Sequence, residues 1–133
     1  LAVRGHIAGK DGIYSAALLV EMLAVTGKSV SQLYQEIQDK YGVLYYADDA
    51  FTMTNSRKAE LQDGLFVRKI VPDFGNTVDH VSREDGCKVY FADGSWVICR
   101  FSGTEPLLRM AAESGREGQA EAYIRTWKEA LGL

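Results

Sequence analysis

The chain has 133 residues, of which 47% are hydrophobic and 25% charged, and its formal net charge is −3. This length fits one domain, or one domain with part of another, and the acidic balance argues against nucleic acid or an anionic membrane as a main partner. We find no apolar run of membrane-span length, no secretory signal and no cysteine framework, which together predict a cytoplasmic protein with free thiols.

The first forty or so residues predict two helices. Asp11 is expected to cap a helix over residues 12–25 that is apolar on nearly every side, and such a helix needs cover from elsewhere. Gly27 is placed to end this helix. A capping-box pattern at Ser29 predicts the start of the second helix, and Gly42 its end.

The middle of the chain predicts a strand followed by a short helix. Residues 43–53 are rich in Tyr, Val, Phe and Thr, as strands are. Asn55 is expected to cap a helix that continues to about Asp63. Residues 65–71 fit either an extension of this helix or an edge segment, and residues 72–75 a loop.

The last third predicts strands and one closing helix. The predicted strands cover residues 77–82, 87–92, 95–101 and 107–112. A capping-box pattern at Ser114 and Glu117 predicts the start of the helix, and Trp127 lies on its apolar stripe as a core residue. We therefore expect an α+β fold, with an antiparallel sheet of about four strands backed by helices and a helical segment before it.

The dipeptide at Asp93 and Gly94 predicts a two-residue hairpin turn. Such a turn pairs Cys87 with Arg100, and it places Cys87 and Cys99 on opposite faces of the hairpin. We therefore expect the two cysteines not to pair.

The sequence RFSGTEPLLR, which begins at Arg100, is the most informative segment. Arg100 and Arg109 are permanently cationic and suit a two-pronged contact with phosphate. Ser102 and Thr104 add hydroxyl donors, and Gly103 lets the backbone expose its N–H to an anion. The alternative interpretation is an ordinary turn between two strands with solvated arginines.

The sequence GHIAGKDGI, which begins at Gly5, is the second informative segment. It is a glycine-rich loop that leads into a helix N-terminus, a natural anion site. Its glycine spacing matches neither a Walker loop nor a dinucleotide fingerprint. Taken alone, it favours a plain loop in which Lys10 is solvated and Asp11 starts the helix.

Both segments resemble the α-D-phosphohexomutases, the family of phosphoglucomutases, phosphomannomutases and phosphoglucosamine mutases. The family's C-terminal domain carries Arg-x-Ser-Gly-Thr-Glu-Pro and a further Arg close behind, and every one of those positions is present from Arg100 to Arg109. The pattern GHIxxKDGI resembles the segment just after the sugar-recognition loop of the family's third domain. The resemblance implies a TATA-binding-protein-like C-terminal domain.

The resemblance also implies roles for single residues. The residues implied to bind the substrate phosphate are Arg100, Ser102, Gly103, Thr104 and Arg109. Lys10 corresponds to a lysine that faces the sugar and has been assigned a proton-transfer role. His6 and Glu105 are implied candidates for substrate contact, although His6 could equally bond the backbone and Glu105 could equally order the loop.

The implied domain boundaries are residues 1–26 for the tail of domain 3 and residues 27–133 for domain 4. Because the chain begins with Leu1 and not Met, we expect it to continue upstream as further domains of the same polypeptide. The family's phosphoserine loop, its aspartate cluster for Mg²⁺ and its sugar-recognition loop belong to those domains, and none is in this sequence.

The implied function is the substrate-phosphate-binding part of an enzyme that interconverts hexose 1-phosphate and hexose 6-phosphate through a phosphoserine. The implied cofactor of the intact enzyme is Mg²⁺, hexose 1,6-bisphosphate is the intermediate, and the chain alone is expected to be inactive. A stand-alone phosphate-binding or protein-interaction module is the alternative, and nucleic-acid binding through the sheet is a weaker one. The sequence does not predict which sugar is bound.

Overall fold

The computed structural model describes residues 4–7 and 9–133 of the chain. Residues 1–3 and Ala8, which belong to the predicted segment 1–26, lie outside the described residues. The chain divides into two compact units, Leu1–Gly42 and Val43–Leu133, which we describe separately. The domain boundary after residue 26 stays a prediction.

The first unit contains the predicted apolar helix, α1, which spans Gly12–Thr26. The Asp11 carboxylate caps it by accepting the backbone N–H of Tyr14 at 2.9 Å. Gly27 ends it with a φ of +64°, in the left-handed region that favours glycine. Both caps confirm the sequence predictions, because capping depends on residues only three or four positions apart.

The second helix, α2, spans Val30–Tyr41 and begins at the predicted capping box of Ser29. Neither helix has a buried residue, and much of the apolar surface of α1 is exposed, with Leu18 and Leu23 only partly buried. Within the described residues, no single helix is long and apolar enough to cross a membrane. Helices α1 and α2 meet that test only as a pair, which is bent by 83°.

The second unit is built on a five-stranded antiparallel sheet with the order β1-β5-β4-β3-β2. The strands are β1 (Tyr45–Thr52), β2 (Val78–Ser82), β3 (Cys87–Phe91), β4 (Trp96–Phe101) and β5 (Leu107–Ser114). The α+β prediction is confirmed, but the count of about four strands is too low. Strand β1 pairs along its whole length with β5 and becomes an edge of the sheet.

Helix α3 spans Asn55–Gln62, and helix α4 spans Gln119–Leu131. The cap of α3 is Thr54 and not the predicted Asn55. The predicted capping box before α4 is wrong, because the helix begins after Gly118 and the upstream Ser114 hydroxyl instead donates to the Gln119 side chain at 2.5 Å.

The core lies between one face of the sheet and these helices. Helix α3 continues as a π-helical turn over Asp63–Val67, which buries Leu65 completely. Trp127 of α4 is also fully buried, which confirms its assignment to the core. The largest fully buried side chains are Trp127, Leu65, Leu108, Met110, Val89 and Val97.

The hairpin between β3 and β4 has one residue more in its loop than the sequence predicted. The Gly94 N–H donates to the Phe91 carbonyl at 3.0 Å, and the Phe91 N–H donates to the Ser95 carbonyl at 2.9 Å. Gly94 has a φ of +84°, as expected where a left-handed residue follows a type I turn. Tyr90, and not Phe91, is therefore the partner of Trp96.

This shift of one residue moves each side chain of β4 to the opposite face of the hairpin, relative to β3, from the one that the sequence predicted. Cys87 is paired with Cys99 and not with Arg100, and both cysteines are buried on the same face as free thiols. The predicted placement of the cysteines on opposite faces is therefore wrong. Arg100 lies on the other, exposed face.

Candidate functional site

The loop between β4 and β5 (residues 102–106, the β4–β5 loop) is closed by its own hydrogen bonds. The Ser102 backbone N–H donates to the Leu107 carbonyl at 2.8 Å, and the Leu107 N–H donates to the Glu105 carbonyl at 2.8 Å. The Ser102 hydroxyl accepts the Glu105 N–H at 3.3 Å. Ser102 therefore orders the loop through both its backbone N–H and its hydroxyl.

The strand register places the two arginines opposite each other at the base of this loop. Arg100 of β4 and Arg109 of β5 are Cα partners, and both side chains are exposed. They line one cavity of about 190 Å³ together with Phe101, Ser102 and Gly103. Two cations with a hydroxyl and a glycine backbone therefore surround one concave space, which has the chemistry to bind a phosphate group.

Gly103 leaves this cavity open. Its φ is not in the left-handed region, and a Cβ at this position would have no atom within 4 Å. Within the described part of the chain, the backbone N–H groups of Gly103 and Thr104 donate no hydrogen bond. Thr104 and Glu105 are exposed and do not line the cavity, so only part of the predicted site is assembled around it.

A carboxylate lies beside Arg100. The Arg100 Nε lies 3.1 Å from an Asp85 carboxylate oxygen, in an ion pair whose side chains are 58% and 75% exposed. Both arginines also line a second cavity of about 290 Å³, whose lining includes Asp85, Asp48 and Asp49. Asp85 orients one edge of the Arg100 guanidinium, and the remaining nitrogens stay available to a ligand.

Comparison with known families decides the assignment. The model of the phosphoglucomutase/phosphomannomutase C-terminal domain matches residues 33–126, and that of the α/β/α domain III of the same proteins matches residues 1–41. The chain belongs to the phosphoglucomutase/phosphomannomutase family. It carries the C-terminal domain, and the predicted family resemblance is confirmed.

Several relatives of the phosphoglucomutase/phosphomannomutase family match most of this chain. A phosphoglucomutase/phosphomannomutase from Thermococcus kodakarensis is 30% identical, over 89% of this chain and 24% of the relative. A probable phosphoglucosamine mutase from Methanosarcina acetivorans is 38% identical, over 85% of this chain and 23% of the relative. Phosphoglucomutase-1 from Bos taurus is 29% identical, over 89% of this chain and 26% of the relative. The chain thus spans about a quarter of the length of these relatives.

The open form of the phosphoglucomutase parafusin from Paramecium has a similar structure. The TM-score is 0.59 at 22% sequence identity, and the match covers 96% of this chain and 27% of the other. This similarity supports the fold of the phosphoglucomutase/phosphomannomutase family.

The other predicted site residues lie in the first unit. His6 bonds the Asp11 carboxylate through Nε2 at 2.9 Å and stacks on Tyr14 with ring centroids 4.1 Å apart. The Tyr14 N–H and then His6 stabilise the charged carboxylate, which lowers the pKa of Asp11. Lys10 is exposed beside this helix start. The roles of Lys10 and His6 stay predictions.

The described residues do not fit a metal ion. Over residues 4–7 and 9–133, no group of three or more His, Cys, Asp or Glu side chains could hold one.

Sequence reasoning missed one residue at the β4–β5 loop. Lys58 of α3 reaches the loop and donates through Nζ to the Ser102 carbonyl at 2.7 Å and to the Glu105 carbonyl at 3.1 Å. Nothing within a few residues of Lys58 signals this contact, because its partners lie 44 and 47 positions away in the sequence.

Proposed function

We propose that this chain is the substrate-phosphate-binding part of a phosphohexomutase, and that its β4–β5 loop binds the phosphate group of a hexose phosphate. The observation that carries the proposal is the pairing of Arg100 with Arg109 across β4 and β5, around a cavity that Ser102 and Gly103 also line. The family membership supports it, because the relatives are named as mutases of phosphorylated sugars.

The chemistry of the cavity suits a phosphate dianion. A planar guanidinium offers two parallel donors to phosphate oxygens, and the two arginines here are strand partners that line the same cavity. Each hydrogen bond to a charged group contributes about 1.5–3 kcal/mol, so four or five give roughly micromolar to millimolar affinity after the cost of association.

In the intact enzyme, this phosphate would be the one that does not react. Its binding energy would hold the reacting end of the sugar against the rest of the active site, which raises the rate of transfer. The same proposal places the phosphoserine, the Mg²⁺ site and the sugar-recognition loop in upstream domains of the polypeptide, with hexose 1,6-bisphosphate as the intermediate. Lys10 would contribute proton transfer from its glycine-rich segment.

The test is a titration of the isotope-labelled 133-residue chain with inorganic phosphate and with glucose 6-phosphate, followed by NMR. We expect saturable shifts of the Ser102, Gly103 and Thr104 amides, with sodium chloride at equal ionic strength as the control. Loop amides that do not respond at millimolar ligand would refute the phosphate site.

A mutase assay tests the second part of the proposal. We expect the chain alone to interconvert no hexose phosphates, and turnover by the purified chain would contradict its assignment as one part of the enzyme. A stand-alone phosphate-binding module would give the same NMR result. An upstream reading frame that encodes the phosphoserine and metal loops would distinguish the two.

A further inference from the structure

The segment that follows β1 contacts the carbonyl side of the β4–β5 loop. Lys58 Nζ donates to the carbonyls of Ser102 and Glu105. The backbone N–H of Met53 donates to the carbonyl of Pro106 at 3.0 Å. Three carbonyl oxygens of one short loop are therefore turned toward the same segment, and Lys58 is the only side chain of the described residues that bonds two of them.

These contacts determine which way the next peptide group faces. The Ser102–Gly103 peptide is trans, since the described residues contain no cis peptide bond. In a planar trans peptide the carbonyl and the N–H point in opposite directions. Because the Ser102 carbonyl is bonded to Lys58, the Gly103 N–H points away from Lys58. Gly103 lines the cavity between the arginines, and its N–H has no acceptor within the described residues.

Helix stability does not explain Lys58. It lies near the N-terminus of α3, just after the Thr54 cap, where the helix dipole disfavours a cation. Its side chain is partly buried and is directed to the loop carbonyls. A charged donor to two neutral carbonyls makes hydrogen bonds stronger than those between neutral groups.

We propose that Lys58 is a positioning residue of the phosphate site, which locks the Ser102–Gly103 peptide so that the Gly103 N–H, and not the Ser102 carbonyl, faces the bound anion. Without it the peptide is free to turn, and a carbonyl oxygen directed at a phosphate dianion repels it. This inference rests on the proposed phosphate function and adds a residue that does not itself line the cavity.

The test compares three variants of the 133-residue chain. Lys58→Met removes the charged donor and keeps an unbranched apolar chain that is one atom shorter, and Lys58→Arg keeps a cation that can donate to two carbonyls. Lys88→Met is the matched control: Lys88 is also partly buried, carries the same charge change and lines neither cavity of the arginines, its ammonium lying 4.0 Å from the Trp96 ring centroid.

Two readouts separate positioning from stability. Inorganic phosphate is titrated by NMR, and the ¹⁵N shift of Gly103, which responds to hydrogen bonding at the preceding carbonyl, is recorded without phosphate. We expect Lys58→Met to raise the phosphate Kd by about fivefold or more and to move the Gly103 ¹⁵N resonance, with Lys58→Arg and Lys88→Met within about twofold of the parent chain. The thermal midpoint of Lys58→Met should stay close to that of the Lys88→Met control.

The outcomes distinguish this inference from the function on which it rests. If the parent chain does not respond to phosphate, the proposed function fails. If the parent chain binds phosphate and Lys58→Met binds it equally well, or if Lys88→Met weakens it as much, the positioning role of Lys58 is overturned while the phosphate site stands.

Discussion

Replacing Arg100 with alanine is the most direct perturbation of the proposed phosphate site. Its Nε forms an exposed ion pair with Asp85 at 3.1 Å, which leaves the terminal nitrogens for a ligand. The loss of one charge-assisted hydrogen bond to phosphate costs about 1.5–3 kcal/mol. Since about 1.4 kcal/mol corresponds to tenfold, we expect Arg100→Ala to weaken phosphate binding by about ten- to hundredfold.

The folded state should tolerate this change. The Arg100–Asp85 pair is largely exposed, and exposed pairs contribute about 0–1 kcal/mol to stability. Arg68→Ala is the matched control, because Arg68 is also exposed, pairs with a single carboxylate, that of Asp63, at 2.8 Å, and lines neither of the cavities that Arg100 lines. Urea unfolding of both variants should give free energies close to that of the parent chain.

The assay is isothermal titration calorimetry with glucose 6-phosphate at low and at high salt. Screening should reduce the difference between Arg100→Ala and the parent chain at high salt, because the lost interaction is between charges near the surface. The reasoning would be wrong if Arg100→Ala bound the sugar phosphate as tightly as the parent chain. It would also be wrong if Arg68→Ala weakened binding to the same extent.

Three other substitutions test separate parts of the structure. Gly103→Ala should leave the unfolding free energy unchanged, because its Cβ meets no atom within 4 Å. It should weaken phosphate binding, because the methyl group takes up part of the cavity that Gly103 lines, and unchanged binding in calorimetry would argue against the site. Gly86→Ala should lower the unfolding free energy by about 1–3 kcal/mol in urea titrations, because its φ is +112° and its Cβ would lie 2.5 Å from the Cys99 carbonyl oxygen. The Ser95 hydroxyl donates to the Asp93 carboxylate and is the main reason that the pKa of Asp93 lies below its usual value. The charged carboxylate therefore stabilises the folded state at pH values above the pKa of Asp93 in the unfolded chain, and this contribution is lost as the pH falls through the lower pKa of the folded state. Asp93→Asn should therefore flatten the decline of the unfolding free energy below about pH 4, and an equally steep decline would contradict the assignment.

Local sequence determined the helix boundaries of the first unit and the composition of the candidate site. Asp11, Ser29 and Gly27 act on backbone groups three or four residues away, so the predictions made from them were confirmed. The motif from Arg100 to Arg109 likewise carries its cations, hydroxyls and glycine within one short segment. The α+β class followed from the order of periodic segments.

The tertiary structure alone decided register and long-range contact. One extra residue in the turn at Gly94 moved Arg100 to the exposed face, and a dipeptide signal cannot distinguish a two-residue loop from a three-residue loop. The pairing of Arg100 with Arg109 depends on how β4 aligns with β5. The reach of Lys58 to Ser102 depends on the packing of α3 against a loop far along the chain. Helix caps and short motifs depend on residues that are close together in the sequence, so the sequence predicts them. The direction of a peptide group toward a ligand depends on contacts that form only when distant segments fold together.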